Sequence, residues 1–176
     1  MIDESGKQKL FRLALDYFSQ LSFQPDQIPS SETDFTKNVI FPSLSLWHKN
    51  LNMPSFILSS NGHLAPKPLS VWGMQFFPDI TIEEFQSKLL AVEIKLLRDN
   101  ESTGSLAKAI GQSFIYHTLG FYSSISLIMD LRTDQFHDNT LKVMDSSLNE
   151  NNAKVALLRY NLKFGQLNFK SLEFLK

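Results

Sequence analysis

Asp79, Glu93 and Lys95 are the residues whose types and spacing are best suited to chemistry. They lie in one stretch, Pro78 to Lys95, that reads as a β-hairpin carrying an acid, a second acid and a lysine. Val92, Ile94 and Leu96 alternate with Ala91, Glu93 and Lys95, and strand side chains change face at every residue, so Glu93 and Lys95 project from the same face. Leu89, Leu90, Val92, Ile94, Leu96 and Leu97 are apolar on both faces, which predicts a central strand. An isolated charge in such a strand costs on the order of several kcal/mol. These charges need a partner, and a divalent cation is one candidate; the layout is that of a metal-dependent phosphodiesterase site. The competing reading is a salt-bridged hairpin with no metal, because cross-strand charge pairs are common and individually weak.

The elements that must hold these residues follow from periodicity. From Gly6 to about Leu21, Leu10, Phe11, Leu13, Ala14, Tyr17, Phe18 and Leu21 recur at helical spacing and predict an amphipathic helix. Pro25, Pro29, Ser30 and Ser31 interrupt it. Ser31, followed by Glu32, Thr33 and Asp34, has the form of a helix cap with acids in the first turn, which predicts a second helix from Glu32 to near Lys49, kinked or ended at Pro42. Between Asn52 and Leu69 the prolines and Gly62 leave room for loops and one short strand, Ser55 to Ser59. Val71 to Phe77 reads as extended and leads into the hairpin, with strands Asp79 to Glu83 and Lys88 to Leu97 and a turn near Phe85 to Ser87. A helix over Ser105 to Leu119, ended by Gly120, and a strand over Phe121 to Leu131 complete a strand–helix–strand unit, which implies a parallel crossover. A further helix is expected from Asp134 to about Leu148. Lys154 to Tyr160 and Leu162 to Phe169 are expected to form a strand pair turning near Gly165.

Composition narrows the classes. With 176 residues the chain has the length of one domain, and 43% hydrophobic residues with 20% charged ones describe a folded protein and argue against disorder. There is no cysteine, which excludes disulfides, a thiolate zinc site and a cysteine nucleophile. The N-terminal residues have no signal-like apolar region and no run of about 18 apolar residues occurs, so a cytoplasmic protein without a membrane span is expected. A net charge of −1 means that any nucleic-acid contact must come from a local patch, with Lys95, Arg98 and Lys108 nearest the acids and Arg132, Arg159, Lys163 and Lys170 further on. His48, His63, His117 and His137 lack ligand spacing, and Trp47 and Trp72 read as core aromatics. No Gly-x-Ser-x-Gly elbow is present to support a serine hydrolase.

Taken in chain order, Glu32, Pro78-Asp79, Glu93-Ile94-Lys95, Gln112 and Tyr116 resemble the motif set of the PD-(D/E)xK, or restriction-endonuclease-like, nuclease superfamily. The resemblance covers residues 31–131; Asp79 precedes Glu93 by 14 residues, and Gln112 and Tyr116, four apart, share one helical face. The segment Ser31 to Leu44 looks like the first core helix in the N-terminal nuclease domain of type I restriction enzyme motor subunits. The chain departs from those subunits in having neither a phosphate-binding loop of the Gly-x-x-x-x-Gly-Lys type nor room for a motor domain. The implied fold is α/β: a restriction-endonuclease-like mixed central sheet flanked by helices, over a single domain of residues 1–176 with an extra N-terminal helical extension in residues 1–24.

The resemblance implies a magnesium- or manganese-dependent deoxyribonuclease of restriction type. In it Asp79, Glu93 and the Ile94 carbonyl hold the ion, and Glu32 binds it through water or positions a second one. Lys95 orients the attacking water and offsets developing negative charge, while Gln112 holds the water or Lys95. Tyr116 reaches a phosphate or buttresses the strand, and Arg98 and Lys108 are candidate contacts to DNA. The apolar face of the first helix is an expected homodimer contact, and a partner protein supplying DNA affinity is a further expectation. Two alternatives stay open: a catalytically silent nucleic-acid- or protein-binding module on the same fold, and a structure-selective junction nuclease.

Overall fold

The computed structural model describes residues 2–28, 30–51, 56–60, 68–71, 73–85, 87–99, 103–132 and 154–175. Helix α1 spans Glu4–Ser19, and its first turn is closed by Asp3, whose carboxylate accepts from the Gly6 N–H at 2.8 Å. After the two-residue strand β1 (Ser22–Phe23), Ser31 caps α2 (Glu32–Phe35). Its hydroxyl accepts from the Asp34 N–H and donates to the Asp34 carboxylate, a reciprocal cap. The helix expected from Glu32 to near Lys49 runs without a break to Asn50, as α2, a π-helical turn over Thr36–Ile40 and α3 (Phe41–Asn50). Pro42 neither kinks nor ends it. It falls in the first turn of α3, directly after the π-helical turn in which the Phe41 N–H reaches back five residues to the Thr36 carbonyl.

The strands are β2 (Phe56–Ser60), β3 (Leu69–Val71), β4 (Met74–Phe76), β5 (Ile80–Glu84), β6 (Ser87–Leu97), β7 (Ser123–Asp130), β8 (Val155–Lys163) and β9 (Gln166–Leu175), with α4 (Thr103–Thr118) between β6 and β7. Six of them join β1 in one seven-stranded mixed sheet in the order β1-β9-β8-β7-β6-β5-β2. β6 and β7 are parallel, as are β7 and β8, while β5–β6, β2–β5, β8–β9 and β1–β9 are antiparallel. The strand carrying Glu93 and Lys95 is therefore central, and the α/β class with a mixed sheet holds. The extended run expected over Val71 to Phe77 is instead a separate hairpin, β3–β4, turning at Gly73, which takes φ +79°. The closing hairpin turns on Phe164 and Gly165, both at positive φ as a two-residue turn requires. The helix expected over 134–148 lies outside the described residues, as do Trp72, His63 and His137.

Alternation along the central strands sorts the sheet into two covered faces. Val92, Ile94 and Leu96, with Ile125, Leu127 and Met129 of β7 and Ala156, Leu158 and Tyr160 of β8, meet α1 through Leu10, Phe11, Ala14, Leu15 and Phe18. Each such buried side chain contributes about 1.5–3 kcal/mol. The apolar face of α1 is thus consumed inside the core, which overturns its expected use as a dimer contact. On the opposite face α4 packs through Ala109, Leu106, Ile110 and Phe114 against Leu97, Ile128, Val155 and Leu157. Small residues let α4 approach closely: the Ser124 and Ser126 hydroxyls of β7 donate to the Ser113 and Ala109 carbonyls at 2.7 and 3.1 Å. That seating fixes the height of Gln112 and Tyr116 above β6. Among the described residues no helix is long and apolar enough to cross a membrane.

Candidate active site

The site exists because β6 outruns β5. Their pairing runs from Glu84↔Ser87 to Ile80↔Val92, so beyond Val92 the β5 side of β6 has no strand partner among the described residues, and the buried N–H groups of Ile94 and Leu96 are satisfied otherwise. Two carboxylates replace the missing strand. Asp79 Oδ2 accepts from the Ile94 N–H at 2.7 Å, and Glu32 Oε1 accepts from the Leu96 N–H at 3.3 Å. The N–H and C=O of one strand residue point to the same side, so the Ile94 carbonyl opens toward Asp79 as well.

Glu93 and Lys95 leave β6 on the α4 face. Glu93 is buried, and its Oε2 accepts from the Tyr116 hydroxyl at 2.8 Å. Lys95 Nζ lies 2.6 Å from Glu32 Oε2 and 3.9 Å from Glu93 Oε1. Tyr116 also reaches the Phe77 carbonyl at 3.2 Å, and Gln112 Nε2 donates to the Tyr116 oxygen at 3.3 Å. A hydroxyl has one proton, so the relay has two settings. An ionised Glu93 draws that proton, whereas a protonated Glu93 donates to Tyr116, which then donates to Phe77. The side-chain oxygen of Gln112 is buried and meets no donor among the described residues.

Electrostatics follow from this crowding. Burial pushes the Asp79 carboxyl up to about 6, against the pull of the Ile94 N–H and Lys95. Burial and then the Asp79 charge push Glu93 up to about 8, with Tyr116 and Lys95 pulling the other way. Burial opposes the Lys95 charge, but the Glu32 hydrogen bond and the surrounding acids outweigh it and raise its pKa, keeping it an ammonium. Tyr116 is held far above the ordinary phenol value by burial and by the Glu93 charge and hydrogen bond.

Asp79, Glu93, Lys95, Gln112 and Tyr116 are thus brought together as expected from the sequence, and Glu32 joins them through Lys95. Among the described residues no three His, Cys, Asp or Glu side chains form a metal-holding group. Glu32 is turned to Lys95, so an ion here would rest on two carboxylates, the Ile94 carbonyl and water. That donor set suits magnesium or manganese: all hard oxygens, with two acids that repel each other and that a cation would relieve. Arg98 is engaged with the Ser30 carbonyl beside the cap of α2, and Lys108 is exposed one helical turn before Gln112.

Two features escaped the sequence reading. The Phe77 carbonyl and the Leu96 N–H are backbone groups without a side-chain signature. The second is an ion cluster at the end of β7: Asp130 accepts from Arg132 Nε and Nη2, each at 2.7 Å, and from Arg159 Nη2 at 3.0 Å. Arg159, buried, and Arg132, half-buried, are therefore held against a carboxylate and are not part of a basic surface patch. Asp130 and Arg159 interrupt apolar strands as Glu93 and Lys95 do, and the same reasoning would have found them. A cavity of about 160 Å³ between α1 and β9, lined by Phe11, Leu15, Leu172 and Phe174, lies on the other face of the sheet from the acids. In comparisons with known proteins, no protein-family model and no curated sequence matches the chain.

Proposed function

We propose that the chain is a metal-dependent nuclease of the PD-(D/E)xK type that hydrolyses phosphodiester bonds in DNA. The observation that carries this reading is the replacement of a strand partner by carboxylates. A core could satisfy the end of β6 with a longer β5, yet here it does so with Asp79 and Glu32 beside a buried Glu93 and a clamped lysine. Asp79, Glu93 and the Ile94 carbonyl would hold Mg²⁺ or Mn²⁺. When bound, such an ion neutralises phosphate charge and makes water more acidic. Lys95, held by Glu32, orients the water that attacks phosphorus and offsets the negative charge that grows on the phosphoryl oxygens as the P–O bond to the leaving oxygen breaks. Glu32 fixes that ammonium, Tyr116 fixes the Glu93 carboxylate, and the open oxygen of Gln112 accepts from the water.

Cleavage of supercoiled plasmid, single-stranded circle and a four-way junction in Mg²⁺ or Mn²⁺ tests the reading. Wild type should cut at least one, and Lys95→Ala and Asp79→Ala should each lose the activity by about 100-fold or more while melting as folded proteins. A folded Lys95→Ala protein that cuts as fast as wild type would sink the mechanism. Failure of wild type on all three would turn the weight to a binding module.

A further inference from the structure

We propose that Phe77 is a stacking platform for an unpaired nucleobase beside the acid site, so that single-stranded or locally unpaired nucleic acid is the preferred substrate class. This rests on the nuclease reading above. Phe77 is 50% exposed although it lies two residues before Asp79, a chain distance of at most ~7 Å. Its neighbours point inward: Phe76 packs on the cluster of Leu69, Ala91, Tyr116 and Phe121, and Pro78 is buried. Alternation therefore turns the Phe77 ring outward. The Tyr116 hydroxyl that binds Glu93 also binds the Phe77 carbonyl, so the backbone carrying the ring is tethered to the site itself.

The other exposed phenylalanines have local explanations. Phe85 and Phe164 occupy two-residue hairpin turns at φ +53° and +52°, where no inward direction is available. Phe77 is in no turn, and half of its surface is left outside the core. Met74, 52% exposed, adds apolar surface on the strand that leads to it. An aromatic face beside a scissile phosphate accepts a base only if that base is free of its duplex neighbours, and such stacking tolerates any sequence. It also supplies affinity that does not depend on phosphate charge, which suits a chain of net charge −1.

The test measures fluorescence anisotropy of a labelled single-stranded oligonucleotide and of its blunt duplex in calcium, at low and high salt. The proteins are wild type, Phe77→Ala, Phe77→Leu, Phe77→Tyr and, as a remote exposed ring, Phe164→Ala. All are first checked by thermal unfolding, and Phe77→Leu keeps apolar bulk should alanine disturb the fold. Single-strand affinity should fall about tenfold in the alanine and leucine variants, by a similar factor at both salts, with tyrosine and Phe164→Ala near wild type and duplex binding unchanged. Wild-type affinity in the leucine variant, or an equal loss on duplex, overturns the proposal while leaving the nuclease reading standing. If wild type binds neither strand form and cuts none of the three DNA substrates, both fail together. Recruitment of an apolar peptide in place of the oligonucleotide, lost in the same variants, would likewise overturn it.

Discussion

Replacing Glu93 with glutamine should make the metal-free protein more stable at alkaline pH while removing its catalytic competence. Glu93 is buried, and burial with the Asp79 charge raises its carboxyl from 4.5 to about 8. Between those values the folded state keeps a proton that the unfolded chain has released, so stability falls as pH rises through this window, and the full penalty is present above about pH 8. At about 1.4 kcal/mol for each tenfold change in proton affinity, the upper bound is on the order of 5 kcal/mol. Asp79 shares the repulsion, and Lys95 loses a partner 3.9 Å away, so roughly 2 kcal/mol is the expected gain. For a chain of this length that is a rise of about 4–8 °C in melting temperature. The assay is thermal unfolding by circular dichroism in EDTA from about pH 5 to pH 9. The two proteins should converge at the acid end, where the carboxylic acid and the amide are near-isosteres, and diverge steadily above it. A variant equally or less stable than wild type near pH 9, or a difference that does not change with pH, would refute the account of Glu93 as a charge held against its preference.

Asp130→Asn should destabilise the protein by about 3 kcal/mol in urea unfolding, because Arg132 and Arg159 lose their shared buried carboxylate. In wild type, burial disfavours the Asp130 charge, but the two arginines hold its pKa below the ordinary value. Its contribution is therefore complete above about pH 4 and is lost as pH falls through the depressed value, an acid limb that the variant should lack. Tyr116→Phe should cost about 1–3 kcal/mol at neutral pH by calorimetry, since there it takes an acceptor from the protonated Glu93 and from Gln112 and a donor from the Phe77 carbonyl. A cost near zero would mean that the relay does not form.

The core of the site was legible because strand alternation is rigid. Once Val92, Ile94 and Leu96 are assigned inward, Glu93 and Lys95 have no freedom but to share the other face, and β6 bears this out. The Ser31 cap was legible for a similar reason, since a hydroxyl followed three residues later by an acid has few other local uses. Where competing turn geometries differ little in energy, the sequence was silent. Nothing in Thr36 to Ile40 announces a π-helical turn, and Gly73 was not recognised as part of a hairpin turn. The α1 stripe was read correctly as apolar, but periodicity alone does not say whether such a stripe meets its own core or a second chain. The lengths of β5 and β6 decide that Asp79 and Glu32 cap an unpaired strand, and strand length is the quantity that pattern specifies least.

The Glu32–Lys95 contact also orders events in time. It joins residues 63 apart in the chain, whereas the Asp79–Ile94 contact joins residues 15 apart, within one hairpin. Closing the longer loop costs about 1 kcal/mol more chain entropy and waits on the docking of a separate helical segment. During synthesis and refolding the acids therefore meet first, and the lysine is anchored later. A half-folded chain would carry Asp79 and Glu93 on its hairpin before Lys95 is clamped beside them. The ammonium is thus the last charge of the cluster to find its place.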